Sequence, residues 1–432
     1  MTTVSRDLPS RPHLDIPKRE ARLLLKQIRA GNPEALDRIR RRHPRFKDAG
    51  ATTVAIAEFR LSDAQLVIAR EYGFSHWAEL KERISSNTLA ERLHTAIRAD
   101  DRETVVHILR SNPQLLHVPV WSGNWGPPMS HAANLGRLEI IKAVAQLGGR
   151  DFQHAFDRAV LQGQLECAKW LFEHGATLAP GIIMGACETL NAAGFRFLDN
   201  LDVPYSDHRG HRLAPLALVL ETYGRNPAGK HEILDLFEKR GYELPDTPIM
   251  ALHRGHTDRL KNHLQRDPSL INRRFASREI YPPELGCAAD GRSGMHGTPV
   301  EGTTLLHLAI EFDEQEILGL LLSHGADVNA RALIDADGFG GHSPLFNAVV
   351  NMPVACGRQR DNSIARTLLA SGASPEILAS PRKFLDWCET PRWHEAREVT
   401  PATWGHGFPE RNWVNLEALR LLDATTGNPS SG

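Results

Sequence analysis

One segment of this 432-residue chain constrains its fold more than any other feature of the sequence. Residues 302–309 read GTTLLHLA, and residues 320–330 read LLLSHGADVNA. Apolar residues recur three and four positions apart in and between these stretches, which predicts two helices that each have one apolar face. A single helix pair of this kind cannot bury its apolar face alone, so it must stack against neighbours. The sequence therefore predicts a repeat protein rather than a single globular core.

Weaker copies of the same unit recur along the chain. Gly175 and Gly241 lie 66 residues apart, which is two periods of about 33 residues. Further units start near Gly210, at Thr247 and, in degenerate form, near residues 127–133, 341–348 and 400–401. We count about eight or nine helix pairs and predict an all-α fold.

The signature at residues 302–330 resembles the ankyrin repeat, whose consensus reads G-x-T-P-L-H-x-A and then L-L-x-x-G-A-D-x-N-A. Leu305 stands where that consensus has proline. The resemblance extends over residues 88–424 and implies an ankyrin-repeat solenoid that binds protein partners through its concave face. Residues 18–84 read as further helix pairs, and they resemble the helical segment that precedes the repeats in many bacterial ankyrin proteins.

The repeat period divides the chain into five segments and indicates three insertions. About 24 residues in 276–301 and about six in 333–340 exceed the period, and a third insertion covers 351–362. The first two extend consecutive hairpin tips, so we expect them to touch. The segments are 1–87, a helical N-terminal domain with an extended arm; 88–275, degenerate ankyrin repeats; 276–301, an inserted loop; 302–375, the best-matching repeats; and 376–432, a C-terminal capping repeat and tail.

Composition narrows the classes of function. The formal net charge of −1 argues against a general affinity for nucleic acid or anionic membranes. No stretch approaches the roughly 18 apolar residues of a membrane helix. The five cysteines are scattered without a C-x-x-C pair, which is typical of a reducing compartment rather than a disulfide framework. We expect a cytoplasmic protein without a cofactor, a membrane span or a specific nucleic-acid partner.

Candidate binding residues lie at hairpin tips and in the insertions. Trp121 and Trp125 flank a predicted turn, and large exposed aromatic residues often anchor interfaces. The alternative is that these two rings cover the edge of the first repeats. The two insertions add aromatic, acidic and histidine side chains close to one another. The residues that we predict to bind are Trp121, Trp125, Tyr281, His296, Asp335, Asp337, Phe339 and His342.

The same insertions contain groups that could carry chemistry. His296 could act as a general base because histidine titrates near neutral pH, and Asp335 with Asp337 could chelate a cation. The competing interpretation is an Asp-rich turn whose carboxylates accept hydrogen bonds from nearby backbone N–H groups. Neither G-x-S-x-G nor H-E-x-x-H occurs in the sequence, so no nucleophile or zinc motif accompanies them. We predict no metal site and no catalytic residue, with His296, His342, Asp335 and Asp337 as the alternative catalytic set.

Two functions follow from these observations, and a third interpretation is a purely structural or self-associating scaffold. The first is an ankyrin-repeat binding module that mediates protein–protein interaction through its concave face and inserted hairpin loops. The alternative is a small-molecule-binding protein or enzyme, with a pocket that the 276–301 and 333–342 insertions form against the inner helices. Whether the chain catalyses a reaction stays open, and the partner is a protein whose identity the sequence does not give.

Overall fold

The computed structural model describes residues 6, 8, 13–47, 49–50, 53–54, 57–121, 124–288, 294–351, 361–385 and 391–426. Within these ranges the regular secondary structure is almost entirely helical, so the predicted all-α class is confirmed. The chain divides into two compact units, Met1–Ala155 and Phe156–Gly432. In the described part of the chain, no helix combines the length and the apolar character that a bilayer span requires.

The first unit contains seven described helices that lie wholly within it, and its N-terminal part has a core of its own. Helix α3 (Leu61–Glu71) packs against both α1 (Asp15–Arg29) and α2 (Pro33–Arg42). Leu24, Ile39 and Ile68 are fully buried between these helices. Much of the extended arm expected before α1 lies outside the described residues. The helices are α1 Asp15–Arg29, α2 Pro33–Arg42, α3 Leu61–Glu71, α4 Trp77–Arg98, α5 Arg102–Ser111, α6 Pro128–Asn134 and α7 Leu138–Gln146.

The second unit continues the pattern of short helices in pairs. Helix α8 begins in the first unit and has most of its length in the second. The helices are α8 Phe152–Gln162, α9 Leu165–Glu173, α10 Ile183–Glu188, α11 Ala192–Asn200, α12 Ala214–Glu221, α13 Pro227–Lys239, α14 Pro248–His253, α15 Thr257–Arg266, α16 Ser277–Ile280, α17 Leu305–Glu311, α18 Gln315–Ser323, α19 Pro344–Val349, α20 Ser363–Ala370, α21 Pro401–Gly407 and α22 Leu416–Thr426.

Helix pairs in the second unit stack in two rows. In the inner row α17 contacts α14 on one side and α19 on the other, and α19 contacts α21. In the outer row α9 contacts α11, α11 contacts α13, and α15 contacts α18. Each pair therefore buries its apolar faces against the next pair, as a repeat protein requires.

Short polar signals start and end these helices. Thr247 caps α14 by accepting a hydrogen bond from the backbone N–H of Met250, and Pro248 occupies the first helical turn, where its missing N–H costs nothing. The turn from the inner to the outer helix needs a left-handed residue. Gly255 supplies it in one unit with φ of 62°, and Asp313 supplies it in the best-matching unit with φ of 63°.

His307 has a structural role, because it joins consecutive repeats. Its Nδ1 lies 2.9 Å from the hydroxyl oxygen of Thr304. Its Nε2 lies 3.1 Å from the backbone oxygen of His342, at the start of the next unit. The ring therefore satisfies buried polar groups on two neighbouring repeats.

The 276–301 insertion runs along the inner helices rather than projecting from a hairpin tip. Helix α16 packs on α14, and the short 3-10 turn Gly294–His296 packs on α12. The N–H of Ala288 donates to Glu221 at 3.0 Å, and the N–H of Phe384 donates to the backbone oxygen of Gly297 at 2.9 Å. The insertion therefore covers the inner face from α12 to the C-terminal segment. Residues 289–293 of this insertion, and most of the 351–362 insertion, lie outside the described residues.

The C-terminal segment contains a β-hairpin that the sequence analysis did not predict. Strands β1 (Arg382–Leu385) and β2 (Arg392–Glu395) pair antiparallel. Isolated bridges extend this pairing between Ala379 and Val399 and between Ser380 and Gly340. Gly340 in turn bridges to Ile334 within the second insertion. We call this arrangement the hairpin layer and define it as residues 333–341, 378–385 and 391–399.

Replacing Leu306 with aspartate tests the assignment of this repeat. Leu306 is fully buried in α17, so Leu306→Asp places an unpaired charge in the core and should lower the free energy of unfolding by more than about 4 kcal/mol. Urea denaturation followed by circular dichroism measures the change. The matched control is Leu23→Asp, because Leu23 is 56% exposed on α1. Equal unfolding free energies for the two variants would contradict the assignment.

Candidate functional site

A buried carboxylate lies at the centre of the second unit. Glu311 ends α17 and is 1% exposed. Its Oε1 accepts a hydrogen bond from Nη2 of Arg225 at 2.9 Å and one from the hydroxyl of Thr298 at 3.2 Å. Its Oε2 accepts from Nδ2 of Asn347 at 2.8 Å. These donors come from three separate parts of the chain, so one side chain of α17 connects the 276–301 insertion to two other donor segments.

The positive charges around Glu311 keep it ionised. Burial alone would raise the pKa of Glu311, but the charges of Lys383 and Arg225 and a hydrogen bond with His296 outweigh burial and hold that pKa well below the usual value. Lys383 is itself buried in β1 and donates a hydrogen bond to the Thr298 hydroxyl. The result is an ionised carboxylate in the interior that is paired with Arg225.

Tyr281 and His296 extend this network. The hydroxyl oxygen of Tyr281 lies 2.5 Å from Nε2 of His296, and Nδ1 of His296 lies 3.3 Å from Oε1 of Glu311. Burial lowers the pKa of His296 to about 4, although Glu311 favours the protonated ring. Burial also raises the pKa of Tyr281 well above its usual value. A neutral phenol, a neutral imidazole and a carboxylate therefore form a row in the interior.

A cleft lies next to this network. The cleft is partly open to solvent and has room for about one water molecule. One part of its wall is apolar and the other part is polar. The apolar residues are Phe346, Val350, Pro381 and Trp404, and the polar residues are Thr298, His342, Asn347, Arg382 and Lys383.

A second buried polar pair lies on the neighbouring repeat. Nζ of Lys230 lies 2.7 Å from Nδ1 of His253 and 4.3 Å from the centre of the Phe312 ring. Burial lowers the pKa of Lys230 to about 7. Nε2 of His253 lies 2.9 Å from the backbone oxygen of Ile280. This pair therefore holds the start of the 276–301 insertion against α14.

The structure places the predicted residues of the second insertion in a tight turn. Oδ1 of Asp335 accepts hydrogen bonds from the N–H groups of Asp337 and Phe339, both at 2.9 Å. Arg382 pairs with Asp335 at 2.7 Å and with Asp337 at 3.3 Å. The guanidinium of Arg397 lies 3.6 Å from the centre of the Phe339 ring. This is the Asp-rich turn of the competing interpretation, and its carboxylates are already paired with arginine.

The remaining predicted residues lie in the interior of the second unit, at the cleft and in the first unit. Tyr281 and His296 are buried, which differs from the surface-loop position that the sequence analysis gave them, because the insertion folds over the inner helices. His342 is 8% exposed and lines the cleft. The two insertions come together there, since Thr298 of the first and His342 of the second both line it. In the described part of the chain, no group of three or more His, Cys, Asp or Glu residues is placed to hold a metal ion.

Trp121 and Trp125 belong to the first unit and form a small aromatic cluster. Trp121 is 38% exposed and stacks on His94, with ring centres 4.0 Å apart. The ring centre of Trp125 lies 4.9 Å from that of His131, which is fully buried. Each tryptophan thus has one face against a histidine.

Sequence reasoning missed most of the charged groups at the site. It did not single out Glu311, although a glutamate among the apolar residues of an inner helix is unusual and could have drawn attention. The same holds for Asn347 in α19. Arg225 and Lys383 gave no such signal, because each lies in a segment without a repeat motif. The missed residues are Arg225, Lys230, Glu311, Asn347 and Lys383.

These observations define a protein of stacked helix-pair repeats with a polar interior network. The sequence model of the ankyrin repeat matches residues 301–333, which contain α17 and α18. The chain therefore contains one segment, residues 301–333, that matches the ankyrin repeat.

Two further comparisons add little. The crystal structure of the human ASB11 ankyrin repeat domain is similar to 57% of this chain and to 99% of that chain, with 20% identity and a TM-score of 0.26. A TM-score this low carries no argument about the arrangement of the repeats. No curated protein matches the sequence.

Removing the central charge tests the network. Glu311→Gln leaves Arg225 buried without its carboxylate, so the free energy of unfolding should fall by about 3 kcal/mol or more. The matched control is Glu316→Gln, since Glu316 is an exposed residue of the next helix. Urea denaturation of both variants provides the measurement. A loss no larger than in the control would show that the network is energetically unimportant.

Acid should destabilise the second unit. Burial lowers the pKa of His307 to about 3 and that of His342 to about 4. Because both folded pKa values lie below the unfolded value of about 6.5, the unfolded chain binds more protons in this range. Stability should therefore fall as pH drops from about 6.5 towards about 4, by up to about 1.4 kcal/mol per pH unit for each histidine.

Denaturation at about pH 7 and about pH 5 measures this dependence. The His307→Gln variant should lose less stability between the two pH values than the unaltered chain loses. The control His324→Gln changes an exposed histidine and should keep the original dependence. An unchanged pH dependence in His307→Gln would refute the assignment.

Proposed function

We propose that this chain is a protein-binding module whose partner docks on the hairpin layer of the second unit. The proposal rests on one observation: apolar side chains are exposed on backbone that is held in place. Leu333, Ile334 and Leu378 are 46%, 58% and 52% exposed. Protein interfaces commonly bury such groups.

Backbone hydrogen bonds hold the hairpin layer in place, which favours its use as a docking surface. Gly340 and Ser380 exchange two hydrogen bonds of 2.8 and 3.1 Å, and these bonds join the second insertion to the C-terminal hairpin. The N–H of Leu333 also donates to the backbone oxygen of Gly302 at 3.1 Å. Because the segments are already fixed, a partner would lose little free energy in ordering them.

The charges beside these residues indicate the chemistry of the partner. Nε of Arg274 donates to the backbone oxygen of Arg331 at 2.9 Å, and Nη2 of Arg331 donates to that of Leu378 at 2.6 Å. Within the described ranges, neither exposed arginine forms an ion pair. The partner that fits is a protein segment with apolar side chains next to aspartate or glutamate.

The inserted loops support docking on the hairpin layer rather than on the inner helices. The 276–301 insertion lies over the inner face between α12 and β1 and buries Tyr281 there. The part of the concave face that it covers is therefore closed to a partner. Asp335, Asp337 and Phe339 then act as supports for the hairpin tip, and His342 belongs to the cleft.

The alternative function has one supporting observation, which is the cleft beside Glu311. The row of Tyr281, His296 and Glu311 does not support an enzyme, because all three side chains are buried and a general base must reach its substrate. We also infer a cytoplasmic location from the buried thiols of Cys187 and Cys287, which form no disulfide. A bacterial origin stays a prediction.

A displayed library of random peptides tests the protein-binding proposal. The full chain should enrich peptides in which apolar residues adjoin aspartate or glutamate. Leu378→Gln and Arg331→Glu should each weaken the enriched peptides at least about tenfold, since either change removes a group of the docking surface.

The matched control for Leu378→Gln is Leu23→Gln. Leu23 is 56% exposed, close to the 52% of Leu378, and lies on α1 of the other unit. The control should bind the enriched peptides as the unaltered chain does. Enrichment of basic peptides, or equal binding by Leu378→Gln and Leu23→Gln, would rule out the hairpin layer as the docking surface.

A further inference from the structure

The outer face of α1 in the first unit carries apolar and basic side chains in one line. Ile16 is 43% exposed and Leu23 is 56% exposed, and Arg19 and Lys26 are exposed as well. The intervals along Ile16, Arg19, Leu23 and Lys26 are three, four and three residues. This spacing is that of the seam through which two helices pack side by side. We call these four residues the α1 seam.

The opposite face of α1 is already part of the core. Ala21, Leu24 and Ile28 are buried, and α1 packs there against α3. On a helix with about 3.6 residues per turn, the α1 seam points away from these three side chains. Because the core fixes α1 from its other side, a partner on the seam would lose little free energy in ordering it.

The α1 seam carries positive charge. In the part of the chain that the structure describes, Arg19, Lys26 and the adjacent exposed Arg22 form no ion pair. Both carboxylates of α1 already have cationic partners, Lys18 at 3.6 Å and Arg6 at 2.8 Å. A partner that complements the seam must therefore bring negative charge.

The surrounding segment adds to this charge. Residues 15–47 contain eleven Lys and Arg against four Asp and Glu, although the whole chain has a formal net charge of −1. Such an uneven distribution of charge is typical of a segment that contacts an anionic partner. The field around α1 would speed the approach of that partner.

The exposed apolar residues decide which anionic partner fits. A membrane-bound helix needs a continuous apolar face, and here Arg19 separates Ile16 from Leu23. Nucleic acid would neutralise the charge through its phosphates but would leave Ile16 and Leu23 exposed to water. An acidic helix satisfies both kinds of residue, because its apolar side chains face Ile16 and Leu23 while its carboxylates face Arg19 and Lys26.

We propose that the α1 seam binds an acidic amphipathic helix of a partner protein. The partner helix lies alongside α1 and presents apolar residues at seven-residue intervals to Ile16 and Leu23. Its aspartate or glutamate side chains pair with Arg19, Arg22 and Lys26. The seam spans about 15 Å of helix, and a contact this small is typical of a transient complex.

A designed helical peptide tests the chemistry with the full chain. The first peptide contains three heptads with leucine at the first position, glutamate at the fourth and fifth, and alanine and glutamine elsewhere. A second peptide has glutamine in place of each glutamate, and a third has the composition of the first in scrambled order. Fluorescence anisotropy of the labelled peptides measures binding.

The first peptide should bind at least about tenfold more tightly than either of the others, because only it combines the seam spacing with negative charge. Absence of binding by the first peptide would overturn the proposal. Equal binding by the scrambled peptide would also overturn it, since the seam would then recognise charge alone. Equal binding by the glutamine peptide would remove the role of the basic residues.

Two variants locate the contact on α1. Leu23→Gln removes an apolar residue of the seam and Arg22→Glu reverses a charge beside it, so each should weaken the first peptide at least about fivefold. The matched controls are Leu378→Gln, at a residue that is 52% exposed, and Arg259→Glu, at an exposed residue of α15. Both controls lie in the second unit and should bind as the unaltered chain does. Equal binding by Leu23→Gln and Leu378→Gln would place the peptide elsewhere and refute the site.

Competition tests the two phosphate-bearing alternatives. Vesicles of phosphatidylserine with phosphatidylcholine, and a blunt DNA duplex, compete with the labelled first peptide at matched concentrations of negative charge. The unlabelled first peptide should displace it at least about tenfold more effectively than either. Equal or better displacement by vesicles or DNA would show that the face recognises phosphate and would overturn the proposal.

This proposal and docking on the hairpin layer do not depend on each other. The α1 seam lies in the first unit, and the hairpin layer lies in the second. Leu378→Gln is the control for the α1 seam, and Leu23→Gln is the control for the hairpin layer. Each docking surface can therefore fail its test while the other passes.

Discussion

The ion pair between Glu311 and Arg225 is the constraint on which the rest of the second unit depends. A buried charge is costly unless partners compensate it, and both side chains are almost completely buried. The pair joins residues that are 86 positions apart in sequence. Because Thr298 and Asn347 bond to the same carboxylate, the pair also fixes the insertion and the next inner helix. The interior of this repeat stack therefore contains a polar network in which each partner of Glu311 has a defined position.

This polar network explains why the long insertion has a defined course. Loops of this length are usually either functional or disordered. Here Tyr281 and His296 attach the insertion to Glu311, and the Lys230–His253 pair attaches its beginning to α14. The insertion consequently takes the place that a partner could occupy on the inner helices, and the hairpin layer becomes the exposed surface with apolar groups.

Repeat units could be predicted from sequence because their signals are local. The Thr-Pro starts, the glycine turns and the helical period all act within one unit. An Asp-rich turn was one of the two interpretations of Asp335 and Asp337. It could be predicted because the hydrogen bonds that Asp335 accepts reach only two and four residues along the chain. The β-hairpin was missed because its strands are only four residues long. Neither strand sequence, RKFL or RWHE, alternates strictly between polar and apolar residues. Their pairing is stabilised by contacts with Gly340 and Gly297, which come from distant segments.

The sequence by itself determined the all-α class and the ankyrin repeat at residues 301–333, because short-range periodicity and turn chemistry specify these. Only the tertiary structure decided where the insertions go and which side chains meet at Glu311 and at the cleft. Those contacts join Arg225, Asn347 and Lys383 across long stretches of chain. Such pairings depend on how buried charges are compensated in three dimensions, and no spacing along the chain encodes that.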